Sequence, residues 1–541
     1  MRLWVLMVAM GFAGASVASA QPVYFEEVRM EDPPPVWFGS AALADPDGDG
    51  DFDMLLSGST RPFDNARVFT DLYRNDGMTS IEITNPDGEP ETVPAIDFAS
   101  GFNRQTPIVE VWQSAAEWGD FDRDGTVDLA VAGADASGTP TLNLYNWDVS
   151  EGGYRELRHA YGLNGVRAGD VAWGDVDNDG DLDLAVCGFG EGGEPELFVF
   201  ENEVDDGQGF TTRDIGAGVA MCSLEWGDYD VDGDMDLLIT GMRVPQEFVT
   251  RVYDNTSGML AESGHELPGL LFSHAAWGDY DADGDLDILL SGARLSPLYY
   301  MEGELHVFRY HSGEYVSVSE LIEGAFENDV TKGRYHGAVE WGDIENDGYL
   351  DFFIGGAKSP TSTESLQLYE NERGTGFTKS STERFDGGVF GGGVWADFDQ
   401  DQDLDLLHWG TTPGEGVEIL MQRNTSLYGK RKPKPPTDFE SDINGNSVTL
   451  HWSGASDRQT PTASLTYNLR VGVESKSVDV VSPMSDPDTG RRHVSRRGNV
   501  GHNQSWTITD LEPGTYWWSV QALDHSQTAS EFSEEQTFTV D

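Results

Sequence analysis

Nine residues, Asp175-Val-Asp177-Asn-Asp179-Gly180-Asp181-Leu-Asp183, carry five carboxylates with a glycine at the sixth position, and no other stretch limits so strongly what this chain can fold into. Carboxylates packed so closely repel one another unless a cation sits among them, and oxygens at alternate positions are what a hard ion such as Ca²⁺ prefers. The motif recurs, with variations, from Asp45, Asp120, Asp175, Asp228, Asp279, Asp343 and Asp397. Whatever the protein does is built on seven copies of one device.

Each copy sits in the same surroundings. A short strand-like run precedes it and ends Trp-Gly, as in Trp118-Gly119, Trp173-Gly174, Trp226-Gly227, Trp277-Gly278 and Trp341-Gly342, with Leu43-Ala44 in the first copy and Trp395-Ala396 in the last. An apolar run closed by a small residue follows, such as Leu237-Leu-Ile-Thr-Gly241. Next come a variable segment, a third strand of the type Leu366-Gln-Leu-Tyr369-Glu-Asn371, and a fourth opened by a Gly-Phe pair such as Gly376-Phe377. Continuous apolar runs without helical period fit strands covered on both faces.

Four short strands per unit, with loop starts 75, 55, 53, 51, 64 and 54 residues apart, match the size of a propeller blade. The expected fold is all-β, a seven-bladed β-propeller over residues 21–428. A single blade cannot bury both faces of its sheet, so closing the ring is what removes exposed surface and free edges. The array opens with an orphan fourth strand near Val23-Tyr-Phe25 and ends with an orphan third strand near Ile419-Leu-Met421-Gln-Arg-Asn424. These two are predicted to pair.

The loops with their preceding Trp-Gly resemble the FG-GAP or VCBS repeats of integrin-alpha-like propellers, over roughly 400 residues. That resemblance implies calcium ligands at the first, third, fifth and ninth side chains and the seventh carbonyl, with glycine at six for the sharp turn. The implied sets are Asp45, Asp47, Asp49, Asp51 and Asp53; Asp120, Asp122, Asp124, Thr126 and Asp128; Asp175, Asp177, Asp179, Asp181 and Asp183. The remaining sets are Asp228, Asp230, Asp232, Asp234 and Asp236; Asp279, Asp281, Asp283, Asp285 and Asp287; Asp343, Glu345, Asp347, Tyr349 and Asp351; Asp397, Asp399, Asp401, Asp403 and Asp405. Up to seven Ca²⁺ are expected. The seventh site is expected to be weakest, because Gln402 stands where glycine is wanted and must either take left-handed backbone or open the turn. An EF-hand is excluded, since position twelve holds Leu56, Val131, Val186, Ile239, Leu290, Ile354 and His408 in place of glutamate.

Residues 429–436, including Lys430-Arg-Lys-Pro-Lys434-Pro-Pro436, form a basic, proline-rich linker that is expected to be stiff and to lie along the acidic propeller. Residues 437–541 read as alternating strands of a small immunoglobulin-like sandwich. Trp452 and the Leu511-Glu-Pro513-Gly514-Thr515-Tyr516 corner resemble a fibronectin type III module. The basic run Arg491-Arg-His-Val-Ser-Arg496-Arg497 is read as solvated or as an intramolecular docking surface.

Residues 1–20, with an apolar run and the ending Ala18-Ser19-Ala20, match a secretory signal, and no later stretch is apolar enough for a membrane span. A secreted monomer is expected. The formal charge of -62 repels nucleic acid and anionic membranes, and seven Ca²⁺ would leave about -48 of it. The seven lysines all lie at or after Lys332, a composition that suits saline surroundings. Cys187 and Cys222 are the only cysteines and are read as buried thiols, one bridge between them being geometrically conceivable.

The sequence contains no His-Glu-x-x-His, phosphate-binding glycine loop or Gly-x-Ser-x-Gly. The expected function is non-catalytic binding or adhesion to an extracellular protein or glycan, through longer inserts at residues 59–70, 294–303 and 326–336. The alternative is a polysaccharide lyase using His274, Tyr335 and His336, placed before inner strands on the face opposite the calcium loops.

Overall fold

The computed structural model describes residues 25–541 except 31–33, 35, 62–67, 85–89, 101–107, 151, 158–160, 205–208, 245–246, 296–300, 324–333, 335–336, 358–365, 386–388, 413–415 and 426–430. The segment read as a secretory signal, Tyr335, His336 and most of the three inserts lie outside the described residues. The named elements are β-strands, with 3₁₀ turns at Ser319–Leu321 and Thr462–Ser464. Among the described residues no helix is long and apolar enough to cross a membrane.

Antiparallel strands fall into groups of four that follow chain order outward from an innermost strand. The innermost strands are Trp37–Ala44, Trp112–Gly119, Arg167–Gly174, the later part of Gly209–Gly227, Leu271–Gly278, Val339–Gly342 and Val389–Ala396. Each packs against the next, and the last packs against the first. The second strands, such as Asp53–Ser59 and Asp128–Ala134, are buried along their whole length, as their continuous apolar character requires.

The two ends of the repeat array are fastened as the orphan strands predict, with Val23 and Tyr24 of the first outside the described residues. Phe25–Met30 pairs antiparallel with Gly416–Asn424, from Phe25 opposite Asn424 to Val28 opposite Met421. The same strand also makes a short parallel pairing with Pro90–Ser100 through Arg29–Ala95 and Met30–Ile96. One strand thus hydrogen-bonds the last group to the first.

The Trp-Gly pairs have a packing cause. The residue after the first aspartate of one loop stacks on the tryptophan of the next group: Phe121 on Trp173 at 5.6 Å, Tyr229 on Trp277 at 6.1 Å and Tyr280 on Trp341 at 6.2 Å. A Cβ on Gly174 would lie 2.6 Å from the Trp226 ring, so glycine there lets the next tryptophan close in. Burying such a ring contributes about 2–3 kcal/mol.

Cys187 and Cys222 are joined as a disulfide, with Cα atoms 6.5 Å apart, which corrects the reading of two thiols. The bridge links the second strand of the third group to the innermost strand of the fourth. Local pattern could not place two strands of different groups side by side.

The C-terminal residues form two three-stranded sheets, Thr437–Asn444, Ser447–Ser453 and Ser505–Ile508 in one, Thr466–Gly472, Gly514–Leu523 and Gln536–Val540 in the other. Trp452, Tyr467, Trp506 and Trp518 fill the core between them. The Tyr516 hydroxyl donates to the Glu512 carbonyl at 2.6 Å. The linker departs from expectation: Arg431, Lys432 and Lys434 are exposed, and Lys434 N donates to the Ser456 carbonyl of this module at 2.9 Å.

Candidate functional site

Every acidic loop is wound by the same backbone hydrogen bonds. The first aspartate accepts the amide of position six at 2.8–3.1 Å in all seven loops, from Gly50 onto Asp45 to Gln402 onto Asp397. The fifth carboxylate accepts the amide of position seven, as Asp179 does from Asp181 at 3.0 Å. The ninth carboxylate works as a pin. In Asp183 one oxygen takes the Val176 amide of its own loop at 2.8 Å and the other the Asn202 amide of the third strand at 2.8 Å.

These bonds turn the acidic side chains inward. Oxygens of Asp120, Asp122 and Asp128 converge within 4.8 Å of one another, as do those of Asp175, Asp177 and Asp183, of Asp228, Asp230 and Asp236, and of Asp45, Asp47 and Asp49. Burial, with neighbouring carboxylates adding to it, pushes Asp45 and Asp120 up to about 7 and Asp181 up to about 10. Asp45 Oδ1, Asp175 Oδ1, Asp281 Oδ1, Asp399 Oδ1 and Glu345 Oε2 are buried without a hydrogen-bond partner. Buried acceptors of this kind fit a hard divalent cation, which supplies the charge that hydrogen bonds here do not. Arginines of the third strands lie beside several loops, Arg74 at Asp47 and Asp49, Arg309 at Asp281 and Asp283, Arg423 at Asp399.

Three of the seventh side chains join neighbouring loops. Asp234 accepts Asn178 of the preceding loop at 2.7 Å, Asp403 accepts Asn346, and Asp51 accepts Gln400, which carries the relay from the last loop to the first. The closing asparagine of the third strand makes a second relay. Asn202 Nδ2 donates to the Phe121 carbonyl of the preceding loop at 2.8 Å, Asn255 to Val176 at 2.7 Å, Asn371 to Tyr280 at 2.8 Å, Asn424 to Ile344 at 2.7 Å, and Asn75 to Phe398 at 3.4 Å. The repeated asparagine that closes the third strand was visible in the sequence; its partner one repeat away was not.

The innermost strands surround a cavity of about 610 Å³. Its wall carries Glu117, Asp170, Glu225, His274 and Glu340, and the C-terminal module reaches into it with Arg492, Arg496 and Arg497. Arg496 pairs with Glu117 at 2.6 Å, and Arg497 pairs with Glu225 while donating to the Trp277 carbonyl at 3.0 Å. Glu117 and Glu225 also accept the amides of Trp173 and Trp277. Burial, with the Glu225 charge adding, pushes Glu340 up to about 8, and burial alone lowers His274 to about 4. His274 lies inside Leu271–Gly278, opposite Ser291, which corrects its placement before the inner strand.

The basic run is a docking surface within the chain. Asp45 N donates to the His493 carbonyl at 2.9 Å, Arg491 donates to the Asp49 carbonyl at 2.8 Å, and Ser495 donates to the Trp395 carbonyl at 2.9 Å. Other module residues hold first aspartates: Ser482 donates to Asp120, Asn503 to Asp228 at 2.8 Å, and Ser526 to Asp343 at 3.3 Å. The module therefore sits on the acidic-loop face and contacts three of the loops through their first aspartates.

A family profile for the FG-GAP-like repeat matches residues 175–239, 279–354 and 343–408, so the chain carries FG-GAP-like repeats. A search of curated proteins finds no match to the sequence. Solved structures with similarity include the Aleuria aurantia lectin in complex with alpha-methyl-L-fucoside, at 13% identity and TM-score 0.34, over 65% of this chain and 97% of the lectin. The extracellular domain of a putative hybrid two component system from B. thetaiotaomicron matches at 10% identity and TM-score 0.33, over 96% of this chain and 57% of that one. The β-propeller domain of the Trilobed protease from Pyrococcus furiosus matches at 12% identity and TM-score 0.30, over 72% of this chain and 96% of that one.

Proposed function

We propose that this chain is a secreted, calcium-stabilised seven-bladed propeller with a fibronectin type III-like module, acting as a non-catalytic binding protein for an extracellular protein or glycan. Calcium is supported by the donor sets: all-oxygen, with the ninth aspartates buried, and left with unpartnered acceptors at the first or third positions of loops one, three, five, six and seven. Gly180 and its counterparts bend the chain so that the seventh carbonyl can complete each set. The disulfide suits an oxidising compartment.

The observation that carries the binding reading is the engagement of the cavity's charged groups. Glu117 and Glu225 hold Arg496, Arg497 and two tryptophan amides, and the Asp170 carboxylate accepts the Leu224 amide at 3.0 Å. Side chains committed to structure in this way are poorly placed to exchange protons with a substrate. Recognition then falls to the longer inserts at residues 59–70, 294–303 and 326–336. A glycan array probed with and without calcium tests the reading. Incubation with polyuronates tests the lyase alternative, because eliminative cleavage by wild type would create near-ultraviolet absorbance and overturn a binding-only role.

A further inference from the structure

Where the C-terminal module meets the fifth acidic loop, side chains from separate segments converge. Asp279 opens the loop, His502 follows the basic run, and His525 lies two residues beyond Gly514–Leu523. One donor atom from each, a carboxylate oxygen and two ring nitrogens, lie within 4.8 Å of one another. Asp279 is 1% exposed and His502 is 8% exposed.

The two rings are set up as lone-pair donors. His525 Nδ1 lies 3.1 Å from the Gly348 carbonyl, which can only accept, so the proton is on Nδ1 and Nε2 keeps its lone pair. The His502 ring hydrogen-bonds the backbone of Ser464, while its Nδ1 is buried with no hydrogen-bond partner. An ordinary buried histidine has both nitrogens satisfied, because an unpaired one costs about 1–3 kcal/mol. This one keeps a bare nitrogen on a ring that converges with a second imidazole and a carboxylate.

Such a donor set differs in kind from the acidic loops. Hard ions take oxygens, whereas imidazole nitrogen suits zinc and its first-row neighbours, and two histidines with one carboxylate leave a fourth tetrahedral position for water. Bonds of about 2.0–2.1 Å draw donors to separations near 3.3 Å, a closure that side-chain rotation can supply. We propose that Asp279, His502 and His525 form a site for a divalent transition metal of the zinc class, which clamps the C-terminal module onto the fifth loop. Asp279 comes from the repeat array and both histidines from the module, so the site exists only in the docked chain. Asp279 also accepts the Asp283 and Gly284 amides, at 3.0 Å each, and is the first ligand of the proposed fifth calcium site, so its carboxylate would bridge the two ions and the clamp would stiffen the loop it borrows from.

The test uses the full chain, stripped by chelator and returned to millimolar CaCl₂ so that oxygen loops are saturated before ZnCl₂ is titrated calorimetrically. One tight equivalent of zinc is expected. Removing an outer partner of a metal ligand costs about 10–100-fold in affinity, so His502→Ala and His525→Ala should each weaken binding at least about 100-fold, while His306→Ala should not. X-ray absorption at the zinc edge of the wild-type complex reads the shell without any variant, and two imidazoles are expected there. Absence of zinc uptake by the folded wild type, an all-oxygen shell, or full binding retained in both histidine variants would each overturn the site.

Discussion

Position four of every acidic loop takes left-handed backbone, with φ of 72° at Gly48, 55° at Arg123, 61° at Asn178, 60° at Val231, 63° at Ala282, 55° at Asn346 and 61° at Gln400. Asparagine and glycine accept this region readily, whereas a β-branched side chain crowds the following carbonyl. Val231 is also exposed, so it has no packing to offset the cost. Val231→Asn should stabilise the protein by about 1 kcal/mol, seen as a higher thermal midpoint. At position six, Gln402 takes the first of the two courses open to it. Its φ is 74° and its amide still donates to Asp397 at 2.9 Å, so the turn stays shut and Asp405 keeps its bonds to Phe398 and Asn424. Gln402→Gly should therefore gain up to about 1 kcal/mol wherever the loop is ordered, and a midpoint unchanged in both calcium and chelator would show that no strain resides there.

Glu340 gives a pH dependence with a definite sign. Its carboxyl is raised in the fold from 4.5 to about 8, by burial first and the Glu225 charge second. Between those values the folded state holds a proton that the unfolded chain has released, so stability falls as pH rises from about 4.5 to 8. Glu340→Gln removes that loss and can still accept the Trp395 amide. The variant should match wild type near pH 4.5 and exceed it at pH 8 by on the order of 2 kcal/mol, in paired melts across that range.

Among elements, the decisive pieces join one repeat to the next. Asn371 Nδ2 donates to Tyr280 and Leu350 carbonyls at 2.8 Å each, one in the preceding loop and one in its own. Asn371→Ala strands two buried carbonyls and should cost about 2–4 kcal/mol, measured by denaturant titration in saturating calcium. A loss below about 0.5 kcal/mol would mean that stacking of Tyr280 on Trp341 alone holds the groups together. The strand Phe25–Met30 carries the same logic to the two ends of the array. Removing residues 21–30 exposes an edge on Gly416–Asn424 and cuts the tie to Pro90–Ser100, so the truncated chain is expected not to fold.

For the whole molecule in its proposed calcium-bound form, metal and charge act together. A site bound only in the folded state adds RT ln(1 + [Ca²⁺]/Kd), about 2.7 kcal/mol at a hundredfold excess. Chelation should lower the melting temperature markedly, and more at low salt, where repulsion within the loops is least screened. The docked module deepens the coupling, since Ser482, Asn503 and Ser526 hold first aspartates of the second, fourth and sixth loops. Loss of metal should therefore loosen the module too, which limited proteolysis of the segment after Gly472 would detect in chelator but not in calcium.

The repeat, its strands and the inward turn of the aspartates were legible in the sequence because they rest on local rules: alternation of oxygens, glycine at a turn, apolar runs between. Even the pairing of the array's two ends could be read, since an array with an orphan strand at each end leaves two edges that only each other can satisfy. The Cys187–Cys222 bridge, the asparagine relay and the docking of Arg496 and Arg497 beside Glu117 and Glu225 could not be read. Each joins residues from 35 to 379 positions apart in sequence. Their meeting depends on the rotation between successive groups and on the seat of the C-terminal module, quantities set by side-chain packing across interfaces, where sequence period has nothing to say.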